Sequence, residues 1–197
     1  MNKIYKIYLH WTATSYSWKV PGHYHTVIGD KGVIHRLTPY EQPLNAHTFG
    51  RNKNSVAISL ACMGGTVWKD FPPQEAQIES MCKEIVSIVK KENWPLEKLD
   101  INRIMTHAEA AANRDFAKDI AVKVSNKRPI SSVQAEEYDA YARTLGMPHC
   151  NYGPTSWQDG WPGGYAERWD LAQLKPSDPM GSGGFKIRER VRELFLK

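Results

Sequence analysis

The sequence predicts an α/β fold, a central sheet of about five strands flanked by helices. Three observations predict it. Short apolar runs of strand character recur, at Ile4 to Leu9, at Tyr24 to Leu37, at Ser55 to Ala61 and just before His107. One long stretch between the third and fourth carries helical periodicity instead. The resulting order is strand, hairpin, strand, helix, strand, insertion, helix.

Ile4-Tyr5-Lys6-Ile7-Tyr8-Leu9 alternates like a half-buried strand and ends on His10, and Trp11-Thr12-Ala13-Thr14 is its exit into a loop. Tyr24 to Ile28 and Val33 to Leu37 flank Gly29-Asp30-Lys31-Gly32, the pattern of a β-hairpin. Ser55 to Ala61 is short, apolar and followed by Gly64-Gly65, as in a buried strand. After Pro72-Pro73, Ile78, Met81, Cys82, Ile85 and Val89 share one face of a helix over roughly Gln74 to Lys91, with proline suited to its first turn. Ile101 to Thr106 leads into His107 as a further strand. Ser131-Ser132 before Ala135-Glu136-Glu137 caps a short helix within Ile130 to Leu145, and Gly146 to Gly164 reads as a long irregular loop. Lys186 to Leu196 places Ile187, Val191, Leu194 and Phe195 on one helical face, after the breaker Gly181-Ser182-Gly183-Gly184. The expected organisation is one domain over 1–197, with an insertion at about 113–165 and a C-terminal helix at about 186–196.

The composition narrows the function classes. With 41% hydrophobic residues and abundant aromatics (7 Trp, 9 Tyr, 5 Phe) the chain can bury a real core, and disorder is not expected. The net charge of +5 favours anionic partners, but Lys and Arg are spread along the chain, so nucleic-acid binding is not expected. The three cysteines, Cys62, Cys82 and Cys150, lie far apart, which argues against a disulfide framework or a cysteine-rich zinc site, and Cys82 fits the helix core. No Sec-type leader and no 18-residue apolar stretch occur, so the expectation is synthesis in the cytoplasm without a membrane span, and a monomer.

His10 and His107 carry the chemistry. Each ends a short apolar segment, so two neighbouring strands would deliver two imidazoles to one point, suited to a metal ligand or a base. With "YHTVIGDKGVIHRL", "NAHTFGRNKNSVAISL" and "RWDL", the motifs "LHWTAT" and "THAEAA" complete a set of five that spans residues 7 to 174 in order. In these motifs the chain resembles the zinc-dependent N-acetylmuramoyl-L-alanine amidases, the type-2 amidase and peptidoglycan-recognition family that includes phage lysozyme-type amidases. The resemblance implies a mixed sheet of that type, with a long insertion before the last zinc ligand, and one Zn²⁺ held by His10, His107 and Asp170. Two neutral imidazoles and one carboxylate leave such a centre at net charge +1, with a fourth position for water. Asp115, eight positions after His107, rivals Asp170, which lies 63 positions after it.

By the same resemblance, Tyr24 orients the attacking water, Arg168 stabilises the oxyanion, and His47 touches substrate beside the metal. From the residues alone, Tyr24 could be a hairpin core aromatic, His47 a loop histidine with a local hydrogen bond, and Arg168 a surface ion-pair partner. Two departures stand out. Ser59 occupies the place where many relatives carry a proton-handling Glu, which leaves the general base unassigned; Glu109 is a substitute candidate, though better suited to capping a helix or holding a ligand. Only 13 residues separate His10 from Tyr24, so the helix that relatives have there is expected to be missing. Trp157, Trp161 and Tyr165 are candidates for the opposite groove wall. The implied function is cleavage of the amide between N-acetylmuramic acid and L-alanine in peptidoglycan, in the setting of a phage or prophage endolysin acting on the wall after release. The other readings are a cytosolic amidase for soluble muropeptides, a secreted antibacterial effector, and a non-catalytic peptidoglycan-binding module.

Overall fold

Five strands, β1 (Lys6–Trp11), β2 (Thr26–Ile28), β3 (Ile34–Arg36), β4 (Ser55–Leu60) and β5 (Ile104–Thr106), form one sheet in the order β3-β2-β4-β1-β5. Only the β2–β3 hairpin is antiparallel; β2–β4, β4–β1 and β1–β5 are parallel. The α-helices among the described residues are α1 (Glu75–Lys91), α2 (His107–Ala111) and α3 (Gly183–Phe195). The computed structural model describes residues 4–44, 47–48, 52, 54–111, 170–179 and 181–197. The expected insertion at 113–165, its helix within Ile130 to Leu145, its Gly-rich loop and Cys150 lie outside them.

The two-residue period of a strand divides the sheet into two chemically different faces. Ile7, Leu9 and Trp11 of β1 lie level with Val56, Ile58 and Leu60 of β4. These side chains join Met81, Ile85, Ile88 and Val89 of α1 and Ile187 and Val191 of α3 in the main core. On the other face Lys6, Tyr8 and His10 lie level with Ser55, Ala57 and Ser59. The alternation read in Ile4 to Leu9 is therefore real, but the expected half-burial is not: all six residues of β1 are buried. The face opposite α1 and α3 is covered as well, by His47 and by Ala110 of α2, so the polar side chains of β1 are enclosed too.

The helix ends differ from expectation in ways the local chemistry explains. Helix α1 starts at Glu75, and Pro72-Pro73 lie before it rather than in its first turn. Gln74 and Gln77 form a reciprocal cap, and the Gln77 amide also donates to the Ile28 and Ala61 carbonyls at 3.0 and 2.9 Å, tying α1 to the ends of β2 and β4. Glu84, buried in the middle of α1, accepts both nitrogens of an Arg36 fork at 2.7 Å and the Tyr40 hydroxyl, which fixes the hairpin to the helix. Gly183 and Gly184 do not break a helix; they form the first turn of α3, which begins three residues earlier than the apolar pattern indicates. Between β1 and β2 no helix forms, as the short spacing implied.

His25 holds β2 against β4 through its ring. Its Nδ1 accepts from the Ala57 N–H at 3.0 Å, which requires the proton to sit on Nε2, and Nε2 donates to the Gln42 carbonyl at 2.9 Å. Burial lowers its pKa below the ordinary histidine value. The unfolded chain therefore binds the proton more readily, so the stabilisation is complete above about pH 6.5 and is lost as pH falls below it. We predict that His25→Leu, which strands one donor and one acceptor, lowers unfolding free energy by roughly 2–5 kcal/mol in denaturant titration. His25→Gln, which offers both a donor and an acceptor without titrating, is expected to flatten the loss of stability between pH 7 and 5.

Candidate metal centre

Parallel sheets gather their functional groups at the carboxyl ends of the strands, and here two histidines leave that edge side by side. Leu9 lies level with Thr106, so the next residue of each strand, His10 and His107, emerges at the same height. Their ring centroids are 4.8 Å apart. Asp170 completes the group: its Oδ2 lies 3.5 Å from His10 Nδ1 and 3.4 Å from His107 Nδ1. One ligand atom from each residue falls within 4.8 Å of the others, and all three residues are buried. The backbone reinforces this closure, since Ala108 N–H reaches the Asp170 carbonyl at 3.4 Å.

The donor set and spacing fit zinc. Tetrahedral bonds of 2.0–2.1 Å place neighbouring ligand atoms about 3.3–3.4 Å apart, close to the two Nδ1–Oδ2 separations. Protonation states fit as well. Burial lowers the His10 pKa to about 4, opposed by the Asp170 carboxylate and aided by His107. Burial alone would raise the Asp170 carboxyl, but the His10 and His107 imidazoles beside it outweigh that and hold the group below its ordinary value. Near neutral pH the cluster is thus a neutral His10 imidazole beside a carboxylate, the form a cation requires. Among the described residues, His10 Nδ1 and His107 Nε2 are buried without a hydrogen-bond partner.

A chain of hydrogen bonds fixes which nitrogen His10 presents. The Ser55 hydroxyl donates to the Asn52 carbonyl at 2.8 Å, since a carbonyl can only accept. Its oxygen is then the acceptor for His47 Nε2–H at 3.3 Å, which leaves His47 Nδ1 as an acceptor. Thr48 Oγ1–H donates to that Nδ1 at 3.0 Å and in turn accepts from His10 Nε2–H at 3.3 Å. The direction set at Asn52 therefore runs back to His10 and leaves its Nδ1 lone pair facing the Asp170 carboxylate. Two acceptors facing each other in a buried space call for a cation between them. Asn52 also fixes the loop, its Oδ1 accepting from the N–H groups of His47 and Thr48 at 3.2 and 2.8 Å.

The remaining expected residues are placed as follows. Tyr24 is half-buried, with its ring 5.1 Å from that of His10. Burial and the Asp170 charge push its phenol above the ordinary value, despite the nearby Ser59 hydroxyl, so it remains an O–H donor at neutral pH. His47 is buried 5.7 Å from the His10 ring, with both nitrogens engaged by hydroxyls. Ser59 lies level with His10 on β4, and its hydroxyl has no partner among the described residues. Glu109 points away from the cluster into an ion pair with Arg188, so the capping alternative fits it better than the role of base. Arg168, Asp115, Trp157, Trp161 and Tyr165 lie outside the described residues.

Sequence reasoning missed Thr48, Ser55 and Asn52, although all three sit inside a motif it had singled out. The signal was a run of short polar side chains flanking His47, which is common in loops and gives no hint of direction. Comparison with known proteins adds one finding: a family model described as N-acetylmuramoyl-L-alanine amidase matches residues 1–128. That stretch holds His10, Tyr24, His47, His107 and Asp115, while Arg168 and Asp170 follow it. No curated protein matches the chain.

Two predictions follow from the geometry. His10→Ala and Asp170→Ala are each expected to abolish stoichiometric zinc retention, measured by elemental analysis after dialysis, whereas Asp115→Ala keeps it; the reverse result for the two aspartates would transfer the third position to Asp115. Thr48→Val, which keeps the shape but removes the hydroxyl, is expected to weaken zinc binding roughly 10- to 100-fold in a chelator competition.

Proposed function

The chain belongs to the N-acetylmuramoyl-L-alanine amidase family, and from that premise we propose that it is a zinc-dependent hydrolase of the amide between N-acetylmuramic acid and L-alanine in peptidoglycan. The observation that carries the zinc dependence is the buried His10-His107-Asp170 group, with one possible ligand atom from each residue within 4.8 Å of the others. Bound zinc supplies Lewis acidity, lowering the pKa of water from 15.7 to about 7 and so making hydroxide available at neutral pH.

The protein's own residues supply the rest. His10, His107 and Asp170 hold the ion and keep its net charge positive, since only one of the three is anionic. Tyr24, kept protonated by burial and by Asp170, offers an O–H donor that orients the attacking water. Arg168, two positions before Asp170, is the proposed partner for the oxyanion that develops on the scissile carbonyl; a permanently charged guanidinium stabilises that charge but does not readily give up a proton. No second carboxylate joins the group among the described residues, and the group that hands a proton to the leaving nitrogen is unassigned.

The proposed setting is an endolysin that reaches the wall after release from the cytoplasm. The excess of positive charge suits an anionic wall polymer, and no helix among the described residues is long and apolar enough to cross a membrane. The test is digestion of purified sacculi followed by end-group analysis. New alanine amino termini, lost on chelation and restored by zinc, are the expected result; new reducing ends would point to a glycosidase, and activity confined to soluble muropeptides would move the enzyme to recycling. Arg168→Ala is expected to lower kcat roughly 100- to 1000-fold with zinc content unchanged.

A further inference from the structure

The C-terminal helix α3 lies beyond the residues that match the family, yet it reaches the segment carrying His107. Arg188 donates through Nη1 and Nη2 to the two carboxylate oxygens of Glu109, both at 2.8 Å, and Nη1 also donates to the Ile104 carbonyl at 3.0 Å. Glu109 itself forms a reciprocal cap with Thr106: its Oε2 accepts the Thr106 N–H at 3.0 Å, and its own N–H donates to Thr106 Oγ1 at 3.1 Å. His107 is the next residue after Thr106. The pair is nearly dry, with Glu109 4% and Arg188 8% exposed, so its strength is not screened by solvent.

Two glycines are what allow α3 to approach. A Cβ at Gly184 would lie 2.3–2.4 Å from the Glu109 carboxyl atoms, and one at Gly183 would lie 2.0 Å from the Leu171 carbonyl oxygen. Gly183 N–H also donates to the Ala172 carbonyl at 3.0 Å. The first turn of α3 thus touches the strand-to-helix junction that presents His107 on one side, and the two residues after Asp170 on the other.

We propose that Arg188 is a positioning residue for the metal centre: through Glu109 it sets the junction that aims His107, and α3 thereby aligns two of the three ligands. Such a helix is more than a cover for the core. Replacing a buried ion pair by well-packed apolar side chains of similar volume is often neutral for stability, so a purely structural role and a positioning role separate experimentally.

The inference rests on the zinc reading above, and the experiment tells the two apart. Full-length wild type, E109Q/R188M and G184A are titrated with zinc against a chromophoric chelator, and the visible spectra of their cobalt(II) forms are recorded alongside thermal unfolding of the metal-free proteins. The double variant keeps the Thr106 cap acceptor and removes both charges. It is expected to unfold near the wild-type temperature, to bind zinc roughly 10- to 100-fold more weakly, and to show altered cobalt bands. G184A, which adds a methyl group against the carboxylate without breaking the helix, is expected to shift affinity and spectrum in the same direction and serves alone if the double variant does not fold. Wild-type affinity and spectrum in a folded variant would overturn the role of Arg188 while leaving the metal reading intact. Failure of the wild type to take up zinc would instead remove the proposed function.

Discussion

Two imidazoles and a carboxylate crowded together in a space almost closed to water, one of the imidazoles turning a lone pair to the carboxylate, make an arrangement that a protein interior does not tolerate by default. Removing a carboxylate from water carries a penalty of several kcal/mol, and facing it with an imidazole lone pair adds to that penalty. In this chain the rest of the architecture can be read as the means of holding the three side chains in place. Strands β1 and β5 leave the sheet at one level and supply the histidines. The hydrogen-bond chain from Asn52 to His10 fixes a tautomer. The Asp170 segment is pinned to α2 by its backbone and to α3 by Gly183. A divalent cation is the simplest partner that turns the opposition of the His10 lone pair and the Asp170 carboxylate into binding energy.

The sheet makes this possible by keeping its two faces chemically separate. One face is an apolar layer pressed against α1 and α3, and it supplies the burial that stabilises the fold. The other carries Lys6, Tyr8, His10, Ser55 and Ser59, which bring polar groups to the face that holds the metal position. A slip of one residue in the pairing of β1 would exchange the faces, placing Ile7 and Leu9 at the site and His10 in the core. Stability and function therefore constrain the same register.

Much of this was legible in the chain. The strand runs, the helical period in α1 and the hairpin turn are local patterns, and local patterns survive into the fold. His10, His107 and Asp170 could be named together because each sits in a motif of recognisable type. What stayed hidden depended on contacts distant in sequence. Nothing near Arg188 indicates that it meets Glu109, 79 positions away. Gly183 and Gly184 read as helix breakers because local rules see glycine as flexibility, whereas here its value is the absence of a side chain. The full burial of β1 comes from groups packed on both of its faces, α1 and α3 on one and His47 and Ala110 on the other, which an alternating pattern does not reveal.

The account stands on the identity of the three ligands and on the nitrogen that His10 presents. The most direct measurement is anomalous diffraction at the zinc absorption edge from crystals of the purified full-length protein. The account predicts one strong peak about 2.0–2.2 Å from His10 Nδ1, from a ring nitrogen of His107 and from an Asp170 carboxylate oxygen. No peak at that position, bonding through His10 Nε2, or Asp115 in place of Asp170 would contradict it.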